Sequence, residues 1–357
     1  MTINLYVTST QDFSGKSAVC VTLLHRLQKD GYTVGYLKPF SSAARVLSES
    51  SMDEDARFIK EMFKLAEPLE TLAPVILTNQ QVHQIFEQGG ADYEQIVKQA
   101  AQKVAEGKNI VVMEGSANFR EGRIVNLAPS QAADLLNAKV VTVIGYKDLL
   151  QVVDDMLTAQ ARLEKHLVGV IVNNVPTTQM EYVNSKIKPY VQKLGINLLA
   201  VLPHEKTLHS ITVREIAEAL ESELICASQC GDELVENLLV GAMNVEAALN
   251  YFRRATNKAV IVGVDRPDMQ LAAMETSTKA LILTGNIRPN PMIEARAEER
   301  GIAIILSQFD TLATVEKVEK FFGKARIHQA EKVQRFEELL AQHLDFKAFY
   351  QLIGLSK

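Results

Sequence analysis

The chain has 357 residues, 47% of them hydrophobic, and a net charge of −5. That is enough for two domains with real cores and a tail, and with no basic block it argues against nucleic acid or an anionic membrane as partner. No apolar run approaches the ~20 residues of a membrane span.

The first element is the apolar, β-prone segment Ile3–Val7. A small-residue loop, Thr8-Ser-Thr-Gln-Asp-Phe-Ser-Gly-Lys-Ser17, follows it and leads into the helical run Ala18–Leu27. Strand, loop, Gly-Lys-Ser and helix form the layout of a phosphate-binding loop. Backbone N–H groups must point at phosphate oxygens, a lysine must neutralise their charge, and a hydroxyl must hold Mg²⁺. Ser14, Gly15, Lys16, Ser17 and Ala18 are therefore the expected binding set. The usual first glycine is missing: Ser9 stands six residues before Gly15, one more than in the common pattern.

Further along, short apolar runs alternate with helical patterns. The strands expected are Thr33–Leu37, Asn109–Met113, Val140–Ile144, Val168–Val172 and Leu198–Leu202. Nearly unbroken apolar runs are what a parallel sheet covered on both faces requires. Helical patterns include Tyr93–Ala105, Leu149–Lys165 and Met180–Leu194. The fold class expected is α/β: a doubly wound parallel-sheet domain over 1–205, with ligands at the strand C-terminal ends. Ile211–Leu220 then reads as a short helix, and Glu233–Leu239 and Val245–Phe252 follow it. Two β–α units come next, Ala259–Val264 before Asp268–Glu275 and Ala280–Leu283 before Asn290–Glu299. Ile302–Leu306 is a last strand. These elements predict a smaller α/β domain over 206–323. The end, 324–357, reads as a helical tail, with Val333, Phe336, Leu339, Leu340 and Leu344 at helical spacing.

Polar residues close several strands. Lys38 can meet phosphate or a carboxylate substrate, or can be a solvated lysine. Asp53 and Asp55 start the helical run Ala56–Phe63, either to bind a cation or simply to suit the helix dipole. Glu114 follows four apolar residues and must emerge at the sheet edge, where a metal-orienting acid belongs. Asn173 and Asn174 can read a purine edge or form a turn before Pro176. In the second domain Asp265 and Arg266 can bind a ligand or pair with each other, with Thr284 and Gly285 on the adjacent loop. The cysteines Cys20, Cys226 and Cys230 lack zinc-ligand spacing. The N-terminus lacks a charged start followed by an apolar stretch. A soluble cytoplasmic protein is the simplest expectation. His204, His209 and His328 show no recognisable spacing.

Together these motifs resemble known families. Residues 1 to about 205 resemble the dethiobiotin-synthetase-like P-loop domain through Thr8–Ser17, Gly35-Tyr-Leu-Lys-Pro39, Glu114-Gly115 and Val172-Asn-Asn-Val-Pro176. The closer match is to the N-terminal region of long bacterial phosphate acetyltransferases, where that domain precedes a DRTGG domain. Val240–Glu246, Gly263–Asp268, Ala280–Gly285 and the run from Asp53 fit this family. The resemblance implies ATP and Mg²⁺ as cofactors, with Lys16 on the β/γ-phosphates and Ser17, Asp55 and Glu114 around the metal. It implies a regulatory or assembly protein, a homo-oligomer that controls a metabolic enzyme such as a phosphate acetyltransferase.

The sequence also departs from the pattern. The acyltransferase domain would lie beyond the second domain, so a stand-alone protein without acetyl transfer of its own is expected. Glu114-Gly-Ser-Ala-Asn-Phe-Arg120 lacks the glycine-rich stretch of dethiobiotin synthetases, and Pro267-Asp-Met269 replaces Thr-Gly-Gly. The alternative to a regulatory protein is an ATP-dependent ligase acting through an acyl- or carboxy-phosphate, with Lys38 orienting the attacking carboxylate. A scaffold that has lost the nucleotide is a third. Ser9-Thr10-Gln11 has no lysine to reach across a dimer, which disfavours partner-activated hydrolysis.

Overall fold

The computed structural model describes residues 2–42, 45–47, 50–322 and 327–355. The chain divides into two compact units, Met1–His204 with Ile327–Lys357, and Glu205–Arg326. The expected 323/324 boundary lies outside the described residues.

The first unit is built on six parallel strands: β1 (Ile3–Ser9), β2 (Val34–Leu37), β3 (Ile110–Glu114), β4 (Lys139–Gly145), β5 (Leu167–Val175) and β6 (Leu198–Pro203). Their order is β2-β3-β1-β4-β5-β6. From β1 the chain crosses to β2 at the sheet edge, returns to β3 beside β1, and then passes to β4, β5 and β6 on the other side, so the direction of winding changes at β1 and the crevice opens at its C-terminal end. Leu5, Val7, Val111, Met113, Val141 and Val143 are all wholly buried, the two-sided burial that the apolar runs demand. Helix α1 (Lys16–Lys29) follows β1 and buries Ala18, Val19, Cys20, Leu23, Leu24 and Leu27. Helix α2 (Glu54–Phe63) starts at Asp53, whose carboxylate accepts from the Ala56 N–H at 2.9 Å. This cap satisfies one orphan donor of the helix and fixes where Asp55 emerges. A hairpin of Arg45–Leu47 and Ser50–Met52, absent from the sequence expectations, precedes α2. Helix α3 (Leu149–Leu163) is capped by Asp148.

The second unit holds a five-stranded sheet of β7 (Leu224–Cys226), β8 (Asn237–Val240), β9 (Lys258–Gly263), β10 (Thr278–Thr284) and β11 (Ala303–Ser307), in the order β7-β11-β10-β9-β8. All neighbours are parallel except β7 on β11. Alternation divides the core in two: Val260, Leu281 and Ile304 face one layer, Ile261, Ile282 and Ile305 the other. The helix expected over Ile211–Leu220 is present but begins two residues later. Ile211–Thr212 is a two-residue strand that pairs antiparallel with Leu234–Val235. The helix therefore starts only at Val213, capped by Thr212 with Glu215 in a capping box. Glu233–Leu239 is extended, since Asn237–Val240 forms the edge of the sheet.

The tail forms two helices, α4 (Ala330–His343) and α5 (Phe346–Ile353). Val333, Phe336, Leu339 and Leu340 are buried, and α4 packs on α1. The Tyr350 hydroxyl donates to Asp30 at 2.7 Å, and the Arg26 guanidinium lies 4.7 Å above the Phe346 ring. The apolar stripe read from the sequence thus covers the helix that starts at the phosphate-type loop. No helix among the described residues is long and apolar enough to cross a membrane.

Candidate functional site

The loop between β1 and α1 is pinned from three strand ends. The Ser9 hydroxyl donates to the Ala117 carbonyl at 2.8 Å, beyond β3. The Gln11 amide donates to the Gly145 carbonyl at 2.7 Å, at the end of β4, and accepts from Gln151 of α3 at 2.9 Å. The Asn173 amide of β5 donates to the Ser14 carbonyl at 2.9 Å. Gln11 thus anchors the stretch where the first glycine is missing. Two loop residues are left-handed, Phe13 at φ +54° and Gly15 at φ +94°. At Phe13 this costs about 1–2 kcal/mol, strain of the kind found at functional sites. At Gly15 a Cβ would lie 2.3 Å from the Asn173 amide nitrogen, so the backbone path requires glycine twice over.

This loop delivers an open helix end. No side chain caps α1, so its first amides, from Lys16 to Ala18, lack acceptors within the helix. The Ser14 hydroxyl is buried with no hydrogen-bond partner. Orphan donors and a helix N-terminus at one point suit an anion.

The charged side chains form two adjoining groups. Glu114, at the end of β3, is wholly buried. Its Oε1 meets the Lys16 ammonium at 2.8 Å and the Ser17 hydroxyl at 2.7 Å, and its Oε2 accepts from the Tyr36 hydroxyl at 3.0 Å. Burial opposes the charge on both Lys16 and Glu114. Their attraction outweighs it, holding the lysine above and the carboxyl below their ordinary values. The second group surrounds Lys38, which is also buried. Its ammonium lies 2.8 Å from Asp53 and 2.8 Å from Asp55. Ser41 donates to Asp53 at 2.6 Å, and the His328 Nε2 donates to Asp55 at 3.1 Å. The His328 ring stacks on Phe58 with centroids 4.6 Å apart. Burial works against both charges here too. The carboxylates raise the Lys38 pKa, while Lys38 and His328 lower that of Asp55.

Three carboxylates against two ammonium groups leave one net negative charge. A polyphosphate alone would meet that charge unfavourably; with a divalent cation the balance reverses. The donors fit Mg²⁺: a hydroxyl and carboxylates, all hard oxygens. Among the described residues no three of His, Cys, Asp and Glu gather as a metal site.

Of the residues singled out in the sequence, Ser14, Gly15, Lys16, Ser17, Ala18, Glu114 and Asn173 meet around the loop. Lys38 and Asp55 meet beside it. Asn174 is left-handed at φ +64° and its side chain bonds His204. Sequence reasoning missed Tyr36, Gln11 and His328 as members of this network. After Glu114-Gly115 the chain closes on itself, with the Ala117 N–H donating to Glu121 at 2.7 Å.

In the second unit β9 and β10 run in register from Ala259 with Ala280 to Gly263 with Thr284, so their following loops leave one sheet edge together. Arg266 donates to the carbonyls of Gly241, at 3.3 Å, and Met243, at 3.0 Å, clasping the loop after β8. Its nearest acid is Asp268 at 4.0 Å, not Asp265. Thr284 shares a hydrogen bond with Thr311 at 3.3 Å, and Gly285 is left-handed at φ +108°.

Both regions of the chain resemble known families. An AAA domain model matches residues 3–212 and a DRTGG domain model matches residues 215–321. The phosphate acetyltransferase of Nitratidesulfovibrio vulgaris is 26% identical over 366 residues, covering 97% of this chain and 51% of the relative. That of a Synechocystis species is 23% identical over 363 residues, with the same coverage of 97% and 51%. The ATP-dependent dethiobiotin synthetase of Aromatoleum aromaticum is 23% identical over 203 residues, 56% of this chain and 89% of the relative. The chain spans about half the length of the phosphate acetyltransferases it matches.

Proposed function

Since the chain belongs to the AAA domain family through residues 3–212, we propose that its first unit binds ATP with Mg²⁺ and that the protein serves regulation or assembly. The carrying observation is the Lys16–Glu114–Ser17 cluster at the uncapped start of α1. With nucleotide present, Lys16 would leave Glu114 for the phosphates, and Ser17, Glu114 and Asp55 would face the metal. The ion supplies charge neutralisation between phosphate oxygens and these acids. Gln11 and Asn173 hold the loop, and Asn174 lies at the rim. Asp265, Arg266, Thr284 and Gly285 mark the ligand or interface edge of the DRTGG domain. The partner would be a metabolic enzyme such as a phosphate acetyltransferase, met by a homo-oligomer of this chain in the cytoplasm. A thermal-shift panel of nucleotides, with and without Mg²⁺, tests the reading. A nucleotide at 100 times its dissociation constant stabilises the folded state by about 2.7 kcal/mol. No shift with any nucleotide, or an equal shift in Lys16→Ala, rejects it.

A second reading, an ATP-dependent ligase, draws support from the match along 89% of a dethiobiotin synthetase. It requires Lys38 to exchange Asp53 and Asp55 for a substrate carboxylate. ADP release that depends on a small organic acid or amine would favour it. Nucleotide binding without such release favours the regulatory reading.

A further inference from the structure

His328 lies 273 positions after Asp55 in the chain, yet its Nε2 is 3.1 Å from the Asp55 Oδ1. Between them the chain passes through the whole second unit, Glu205–Arg326. The contact is doubly fixed. The imidazole stacks on Phe58, one turn along α2 from Asp55, with ring planes 26° apart. Just beyond His328, α4 is anchored on α1 by Val333, Phe336, Leu339 and Leu340.

Asp55 needs such a partner. Its Oδ2 is taken by Lys38, which is shared with Asp53. Asp53 is itself fixed by Ser41 and by the Ala56 amide. His328 supplies the donor on the other oxygen of Asp55. At neutral pH a carboxylate only accepts, so the imidazole nitrogen donates, whichever its charge.

We propose that His328 is a positioning residue of the nucleotide site, a donor from the far end of the chain that fixes the Asp55 carboxylate for the cation. The proposal rests on the reading of the first unit as an Mg²⁺-nucleotide site. It makes the segment after the second domain part of that site, so the two ends of the first unit's sequence complete it together.

Two substitutions separate the donor from the ring. His328→Phe keeps the stack on Phe58 and removes the N–H. His328→Gln keeps an N–H at comparable reach and removes the ring. The affinity of the full-length protein for ATP is measured by calorimetry with Mg²⁺ and with EDTA, and folding of each variant is followed by thermal unfolding without ligand. Positioning predicts that His328→Phe weakens Mg²⁺–ATP binding about tenfold, the scale of one charge-assisted hydrogen bond. His328→Gln stays within about threefold of wild type, and with EDTA all three proteins bind alike. In an Asp55→Asn background, His328→Phe then has no further effect. The opposite pattern, with His328→Phe like wild type and His328→Gln weakened, leaves only ring packing and overturns the proposal. So does equal weakening with and without Mg²⁺. If wild type binds no nucleotide at all, the underlying reading fails and the proposal falls with it, an outcome distinct from both.

Discussion

Replacing Lys16 by methionine removes a cation while keeping the aliphatic length. Glu114 then stays wholly buried, with the Ser17 and Tyr36 hydroxyls as donors. Stripping one member from a buried ion pair costs about 3–5 kcal/mol. The two retained hydroxyls put Lys16→Met at the lower end, about 3 kcal/mol. For a unit of this size each kcal/mol lowers the melting temperature by about 2–4 °C, so the ligand-free variant melts about 6–12 °C early. Lys16→Met/Glu114→Gln removes the stranded charge and returns to within about 1 kcal/mol of wild type. The pH dependence has a definite sign. In wild type, burial opposes the Glu114 charge but Lys16 and Lys38 prevail, and the carboxyl lies below its ordinary 4.5. Its stabilisation is present above that pH and is lost as pH falls through the lowered value. Without Lys16, burial lifts the carboxyl, so the variant's deficit is largest at neutral pH and shrinks toward pH 4.5. Scanning calorimetry from pH 5 to 8, with hydrogen exchange at the β1 and β3 amides, reads both effects. A single variant within 1 kcal/mol of wild type, or two substitutions whose costs simply add, refutes the buried-pair reasoning.

Gly15→Ala forces a side chain into the left-handed region and against Asn173; if the loop gives way to relieve about 1–2 kcal/mol of strain, nucleotide affinity should drop about five- to thirtyfold. Gly31→Ala is the control, equally left-handed at φ +90° with nothing within 4 Å of the added methyl, and should lose stability but no affinity. The Lys38 group bounds stability at both ends: Asp55 contributes above its ordinary 3.8 and fails as pH falls below it, while Lys38 contributes up to 10.5 and fails above it. Unfolding free energy measured across pH 3 to 11 should decline at both edges in wild type, and the alkaline decline should be shallower in Lys38→Met, with Lys16 and the buried tyrosines carrying the remainder. Lys258 in the second unit is buried with two carbonyls as acceptors, Ala255 at 3.2 Å and Ser277 at 2.9 Å, and burial lowers its pKa to about 8. A base depressed in the folded state costs stability at low pH, so this unit should gain between pH 8 and 10.5. Lys258→Met should stabilise it by about 1–3 kcal/mol at pH 7 and remove that gain; an unchanged pH profile contradicts the assignment.

Much of the fold was legible because two-sided burial writes itself as apolar runs. The six strands of the first sheet fall within a few residues of their expected limits. Glu114 was legible for the same reason, since four buried residues leave the acid nowhere but the strand end. Gly15-Lys16-Ser17 announced itself by residue type. The strand pair of Ile211–Thr212 with Leu234–Val235 did not, because two residues carry no period and a neighbouring helical pattern absorbs them. Tyr36 was hidden inside an apolar strand, where its hydroxyl's target depends on how β2 and β3 align. Gln11 stood out only as the absence of a lysine; its tether needs β4 to end at Gly145. His328 had no local signal, since its meeting with Asp55 follows from the tail packing on α1.

The proposed nucleotide site stands or falls on whether Lys16 exchanges its carboxylate partner for phosphate. A crystal structure of the full-length protein with Mg²⁺ and a non-hydrolysable ATP analogue looks at that exchange directly. Phosphate oxygens should sit on the amides that open α1, with the Lys16 ammonium moved from its present 2.8 Å contact with Glu114 onto the phosphates. A structure in saturating analogue with Lys16 still on Glu114 and no phosphate at that helix end would contradict it.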